Sequence, residues 1–180
     1  MAKIKGKSKK LFMDDYLFTG SHEEKARKLT SEIDNASGSK IFVSAVQLYM
    51  TAAIVGCHYG RRSPREKGDK TYRIMQNQFS NHYYDLIYIY KLVMLSEKDI
   101  SLEPIDKINN AFKYYESPEN MKKFEEYMLG GIDILYDKIF TSTNSSYDDF
   151  LSSVNALIGE FKDSDKKDVV ELDFDKEVDF

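Results

Sequence analysis

From Ile41 to Gly60 the chain runs for twenty residues without a formally charged side chain, and the run stops at Arg61-Arg62. Only two surroundings accept a helix of that kind, a lipid bilayer or the interior of a protein. Its polar members separate the two. Ser44, Gln47, Thr51 and His58 recur at spacings of three, four and seven, which places them in one stripe along an otherwise apolar helix. A lone span with lipid on every side has nothing for such a stripe to face. A helix packed in protein with one edge at the surface does. The spacing therefore predicts a buried or half-buried core helix over 41–60, and a single membrane span is the alternative.

Between the two ends, the rest of the chain reads as further helices joined by loops. Ser21, with Glu23 and Glu24 behind it, predicts a capped helix reaching Leu29. Asn35–Ser39 and Arg61–Lys70 read as loops, the second on Pro64 and Gly68. Thr71 to Leu95 reads as helical with a break near Ser80-Asn81, and Tyr83, Leu86, Ile87, Tyr90, Val93 and Met94 repeat at helical spacing. A helix restarting at Ser101–Pro104 carries Ile105, Ile108, Phe112 and Tyr115 on one side. Ser117-Pro118-Glu119 is a strong start signal: a capping hydroxyl, a proline at the first helical position and an acid in the first turn. It opens an apolar stripe through Met121, Phe124, Met128, Ile132, Leu135 and Ile139. After a loop over 141–146, Tyr147–Phe161 reads as a last amphipathic helix. Strand alternation shows only in the tail Val169–Phe174. The expected fold is an all-α, single-domain bundle of about six helices over residues 21–161, its core dominated by the 13 tyrosines and 11 phenylalanines.

Charge is unevenly distributed, with its strongest bias at the two ends. Residues 1–10 hold five lysines and no acid, and residues 163–180 hold eight acids against three lysines. This predicts a basic N-terminal arm over 1–20 and an acidic C-terminal tail over 162–180, both solvated, flexible and open to partners. The tail alternates its acids with Leu172, Phe174, Val178 and Phe180. Phe174, Val178 and Phe180 are the expected anchors in a basic, apolar pocket of a partner. The basic start is followed by no apolar run of signal-peptide length, so the expected location is the cytoplasm.

Candidates for catalysis are poor. One cysteine, Cys57, excludes a multi-cysteine zinc or iron–sulfur site. Cys57 and His58 are neighbours on a helix, about 100° apart, and do not face each other as a nucleophile and base must. Glu125 and Glu126 diverge for the same reason, and beside Lys122 and Lys123 they read as a solvated helix face. No phosphate-binding glycine loop, nucleophile elbow or zinc-protease motif is present. No cofactor and no metal is expected.

Binding has a better candidate. Gly60 to Arg73 carries Arg61, Arg62, Arg65, Lys67, Lys70 and Arg73 against Glu66 and Asp69, four positive charges net. Part of this is ordinary capping of a helix C-terminus. The rest suits a site where guanidinium forks take phosphate or carboxylate oxygens. Gly130-Gly131 is the other oddity, since two glycines inside a helix weaken it by about 2 kcal/mol relative to alanine. Close approach by another backbone is the expected compensation, ahead of a hinge.

Two stretches together resemble a known family. Ile41-Phe42 leading through Ala53-Ile54-Val55-Gly56 to Gly60-Arg61-Arg62, followed by Phe124-Glu-Glu-Tyr-Met-Leu-Gly-Gly-Ile-Asp-Ile-Leu135, resembles the small accessory proteins encoded beside bacterial phosphorothioate-DNA (dnd) systems. The resemblance covers roughly residues 40–140. It implies a cytoplasmic, non-enzymatic component of an antiphage system linked to DNA modification or restriction, and it carries over no catalytic residues. The expected function is an accessory subunit that binds protein partners of a defence complex, with DNA as a further candidate ligand, through Arg61–Arg73. The alternatives are a small metal-dependent nuclease or hydrolase using Glu125, Glu126 and His58, and a single-span membrane effector built on Ile41–Gly60.

Overall fold

A computed structural model describes residues 11–34, 37–98, 101–114, 117–140 and 146–167. Among them are seven helices and four short strands: β1 (Tyr16–Thr19), α1 (Ser21–Leu29), β2 (Glu32–Asp34), β3 (Ser39–Lys40), α2 (Ala45–Tyr59), β4 (Thr71–Ile74), α3 (Gln76–Asn81), α4 (Tyr83–Leu95), α5 (Pro104–Ile108), α6 (Pro118–Ile139) and α7 (Tyr147–Lys167). The molecule is a mostly helical bundle with minor strand content. It divides into two compact units, Met1–Asp137 and Lys138–Phe180.

The first unit is built around α2. Ala45, Val46, Leu48, Tyr49, Ala52, Ala53, Val55, Gly56 and Cys57 are all buried, so the helix is enclosed by protein on most of its circumference. The polar stripe lies where it was expected, with Gln47 exposed and Ser44, Thr51 and His58 half-buried. Ser44 caps the helix by accepting from the Gln47 amide at 3.2 Å. Gly60 ends it at φ +64°, a left-handed conformation that glycine adopts without strain. Fifteen helical residues are too few to span a bilayer, and no described helix is long and apolar enough to cross a membrane.

Around α2 gathers an aromatic core. Phe12, Tyr49, Phe79 and Phe124 meet one another at centroid distances of 5.2–6.3 Å, mostly edge to face, the arrangement that ring quadrupoles favour. Of the expected α6 stripe, Phe124, Met128, Ile132 and Leu135 are buried in this unit, and Met121 at its start is half-buried. The start of α6 follows the sequence signal, since Ser117 Oγ accepts from the Asn120 amide at 3.4 Å and donates to Glu119 at 2.6 Å.

Four features depart from expectation. Thr71–Ile74 is not helical; it is β4, paired antiparallel to β1 with Tyr16 opposite Ile74 and Phe18 opposite Tyr72. The basic arm expected over 1–20 gives way to packed structure by residue 11, because Leu11 and Phe12 are buried and β1 lays Phe18 into the core. Ser21 does not cap α1. It is the first helical residue, and its amide donates instead to the Glu66 carboxylate at 2.7 Å. The helix opening at Pro104 passes after Ile108 into a π-helical turn, Asn109–Lys113.

In the second unit α7 extends through Lys167, past its expected end at Phe161. Lys138 pairs with Glu160 at 2.7 Å, and the Phe140 and Phe150 rings meet at 5.4 Å. The acidic-tail anchors Phe174, Val178 and Phe180 lie outside the described residues.

Candidate functional site

The loop between α2 and β4 holds no regular structure over 61–70, yet it is fastened at Arg61, Ser63, Arg65, Glu66 and Gly68. The Arg61 amide donates to the Gly56 carbonyl at 2.8 Å, and the Ser63 amide donates to the Glu126 carbonyl at 2.9 Å. Ser63 Oγ reaches the Asp133 carboxylate at 2.6 Å. Arg65 Nη2 donates to the Leu17 carbonyl at 2.8 Å. Glu66 receives the Ser21 amide on its side chain and the Thr19 hydroxyl on its carbonyl. Gly68 lies so near Gly20 that a Cβ on it would come 2.6 Å from the Gly20 nitrogen. The loop is thereby bolted to β1 and α1 on one side and to α6 on the other.

This fastening sorts the six cations into two groups. Arg62 pairs with Glu126 at 3.0 Å and lies over the Tyr127 ring at 5.9 Å. Arg65 stacks on Tyr16 at 5.3 Å, and Arg73 pairs with Asp15 at 3.5 Å. These three are committed within the fold. Arg61, Lys67 and Lys70 are exposed and form no ion pair among the described residues. All six are exposed, and half of them have no ion or ring partner among the described residues.

Under the loop lies a polar hub that sequence reasoning missed. Asp133, 7% exposed, accepts from Lys25 Nζ and Ser63 Oγ, each at 2.6 Å. His22 Nε2 stands 3.3 Å from Oδ1, the oxygen that Lys25 also reaches. Burial works to raise the Asp133 pKa, but the contacts from His22, Lys25 and Ser63 outweigh it and hold the carboxyl well below the usual range. Ser63 donates to the carboxylate and not to the imidazole, so the trio has no nucleophile–base pair. One signal could have found it: Asp133 is the lone acid in the apolar run Gly130–Leu135.

The adjacent acids of α6 do diverge, but neither forms a solvated face. Glu126 turns to Arg62 and, at 3.8 Å, to Lys122, with its side chain 17% exposed. Glu125 lines a cavity of about 300 Å³ with Phe12, Tyr16, Tyr49, Arg65 and Phe79. Burial pushes its carboxyl upward, opposed by the Arg65 charge. The Tyr16 and Tyr49 hydroxyls beside it are buried with no hydrogen-bond partner among the described residues, and desolvation raises both phenols far above their ordinary value. Cys57 is a core residue: its Sγ approaches the Val93 carbonyl at 3.6 Å, and burial lifts the thiol to about 11. Among the described residues no group of three His, Cys, Asp or Glu side chains is placed to hold a metal ion.

The two segments that carried the family resemblance meet in space. Gly60-Arg61-Arg62 is held against Phe124-Glu125-Glu126-Tyr127 by the Arg62–Glu126 pair, and Gly130 packs under the Arg61 backbone. The described residues thus form a helical protein with a cationic loop pinned between β1, α1 and α6. The chain belongs to the DNA sulphur modification system-associated protein 4 family, whose model matches residues 21–174. No curated protein and no solved structure matches it.

Proposed function

We propose that this dnd-associated accessory protein acts without catalysis of its own, by docking protein partners of the system through the Arg61–Arg73 segment, with a DNA backbone as the further ligand of the same strip. The observation that carries this reading is the fastening of the loop at Ser63, Arg65 and Glu66 while Arg61, Lys67 and Lys70 are exposed and form no ion pair among the described residues. A preordered loop loses little entropy on binding, so a few cations suffice for a specific contact. The formal charge of −4 favours a local contact over DNA affinity spread across the surface.

The test compares the parent with the triple variant Arg61→Glu/Lys67→Glu/Lys70→Glu. Co-purification with the products of adjacent dnd genes is expected to fall in the variant. Duplex DNA binding at two salt concentrations reports on the second ligand, and a salt-independent or absent signal removes DNA from the account. Unchanged co-purification would remove the loop from it.

A further inference from the structure

The stripe Ile105, Ile108 and Phe112 reads in the sequence as the buried side of a helix, and the fold turns it outward. Ile105 is 60%, Ile108 48% and Phe112 54% exposed, while the residue this segment buries is Ala111. The same orientation holds on the neighbouring helix α4, where Tyr84, Tyr88, Leu92 and Leu95 lie on one exposed side at helical spacing. The π-helical turn packs against α4, and Lys91 of α4 sits over the Phe112 ring at 5.1 Å, which joins the two rows into one surface. Tyr114, 49% exposed, extends it.

We infer that this α4–α5 face is where two copies of the chain associate. Monomeric proteins rarely expose contiguous apolar patches beyond a few hundred Å². Eight large apolar side chains at these exposures present about 1,000 Å², somewhat above the roughly 800 Å² per partner of a standard interface. The charges on these elements choose the occupant. Lys91, Lys107 and Lys113 stand against Asp85, Glu103 and Asp106, so the fringe is neutral and of mixed sign. Such a fringe repels a polyanion no less than it attracts one; Lys107 is tied to the Glu97 carbonyl, and a two-fold pairing lets Lys91 and Lys113 find an acid on the other copy. Tyrosine and phenylalanine at the centre are the side chains that dominate interface energies.

Sedimentation equilibrium of the full chain, with Tyr88→Asp and Phe112→Asp measured alongside, tests this. The parent is expected to sediment at twice its 20.9 kDa mass at tens of micromolar, and each variant to associate at least about tenfold more weakly. Both positions are exposed and lie on separate elements, so unchanged far-UV circular dichroism of either variant keeps the comparison valid. A parent that stays monomeric at about 100 µM overturns the inference and leaves the face to a different chain. Association that survives both substitutions also overturns it, by moving the interface elsewhere.

Discussion

Gly56 and Gly131 stand face to face where α2 passes α6. A methyl group built on either one would lie 2.9 Å from the amide nitrogen of the other, and would also run into a carbonyl, that of Tyr127 or of Ala52. The backbones touch there, so the helix-weakening glycines are compensated by contact that no larger residue allows. This is the close approach that Gly130-Gly131 predicted, and it identifies Gly56 as the partner.

Gly131→Ala should therefore destabilise by about 3 kcal/mol or more, since a rigid backbone cannot yield as a side chain does. Gly159 in α7 has nothing within 4 Å of a built Cβ. Gly159→Ala should instead strengthen its helix by about 0.5–1 kcal/mol. Urea unfolding of both variants checks the contrast, and equal effects would contradict it.

The long α-helices were legible because their apolar residues repeat over many turns and because Ser117-Pro118-Glu119 marks a start. Ser44, read as a stripe residue of a helix over 41–60, is instead the cap of a helix that begins at Ala45. β1 and β4 were not legible. Each has four residues, too few for alternation to emerge, and their pairing joins positions 16 and 74. The cationic loop was legible as composition only. Which of its charges are used up depends on Asp15, Tyr16 and Glu126, distant in sequence and brought near by the fold. The direction of the Ile105 stripe was also hidden, because periodicity fixes which residues share a side and not what that side meets.

Asp133 makes stability depend on acid. Its folded-state pKa is depressed, so its contribution is complete above the unfolded value of about 3.9 and is lost as pH falls from there toward the folded value. Asp133→Asn should weaken the fold by about 2–4 kcal/mol at pH 7 by leaving Lys25 and His22 without the carboxylate. Below pH 3 the gap between variant and parent should narrow, as chemical denaturation at several pH values will show.

Glu125 has the opposite sign. Its folded-state pKa is raised, so stability is fullest below the unfolded value of about 4.3 and declines as pH rises through the folded one. Glu125→Gln should leave the unfolding midpoint equal or higher at pH 7, with the advantage vanishing near pH 4. A fall in midpoint at pH 7 would mean that the charged carboxylate is needed beside Arg65.

Cys57 should behave as an inert thiol. Burial raises it to about 11 and encloses it at 4% exposure, so little thiolate exists at pH 8. Ellman's reagent at that pH should react with the native protein far more slowly than with the unfolded chain. Comparable rates would place Cys57 at the surface.

Arg61 and Arg62 are neighbours in sequence and should separate cleanly in experiment. Arg62 spans Glu126 and the Tyr127 ring, so Arg62→Ala removes both an ion pair with a half-buried acid and the packing of its own stem. A loss of about 1–2 kcal/mol is expected, larger than for an exposed pair because Glu126 is only 17% exposed and Lys122, at 3.8 Å, is a poor replacement. Arg61 holds its place through its backbone, with its amide on the Gly56 carbonyl and its carbonyl over Gly130. Arg61→Ala keeps that backbone and should change stability by less than about 0.5 kcal/mol. A double substitution would mix the two effects, so weakened binding in it could arise from a loosened loop. Thermal unfolding of the single variants beside their co-purification resolves this: Arg62→Ala should lower the melting temperature, and Arg61→Ala should weaken partner capture at an unchanged melting temperature. If Arg61→Ala lowers the melting temperature as much, the two arginines share one structural task and the loop offers fewer free cations than its geometry indicates.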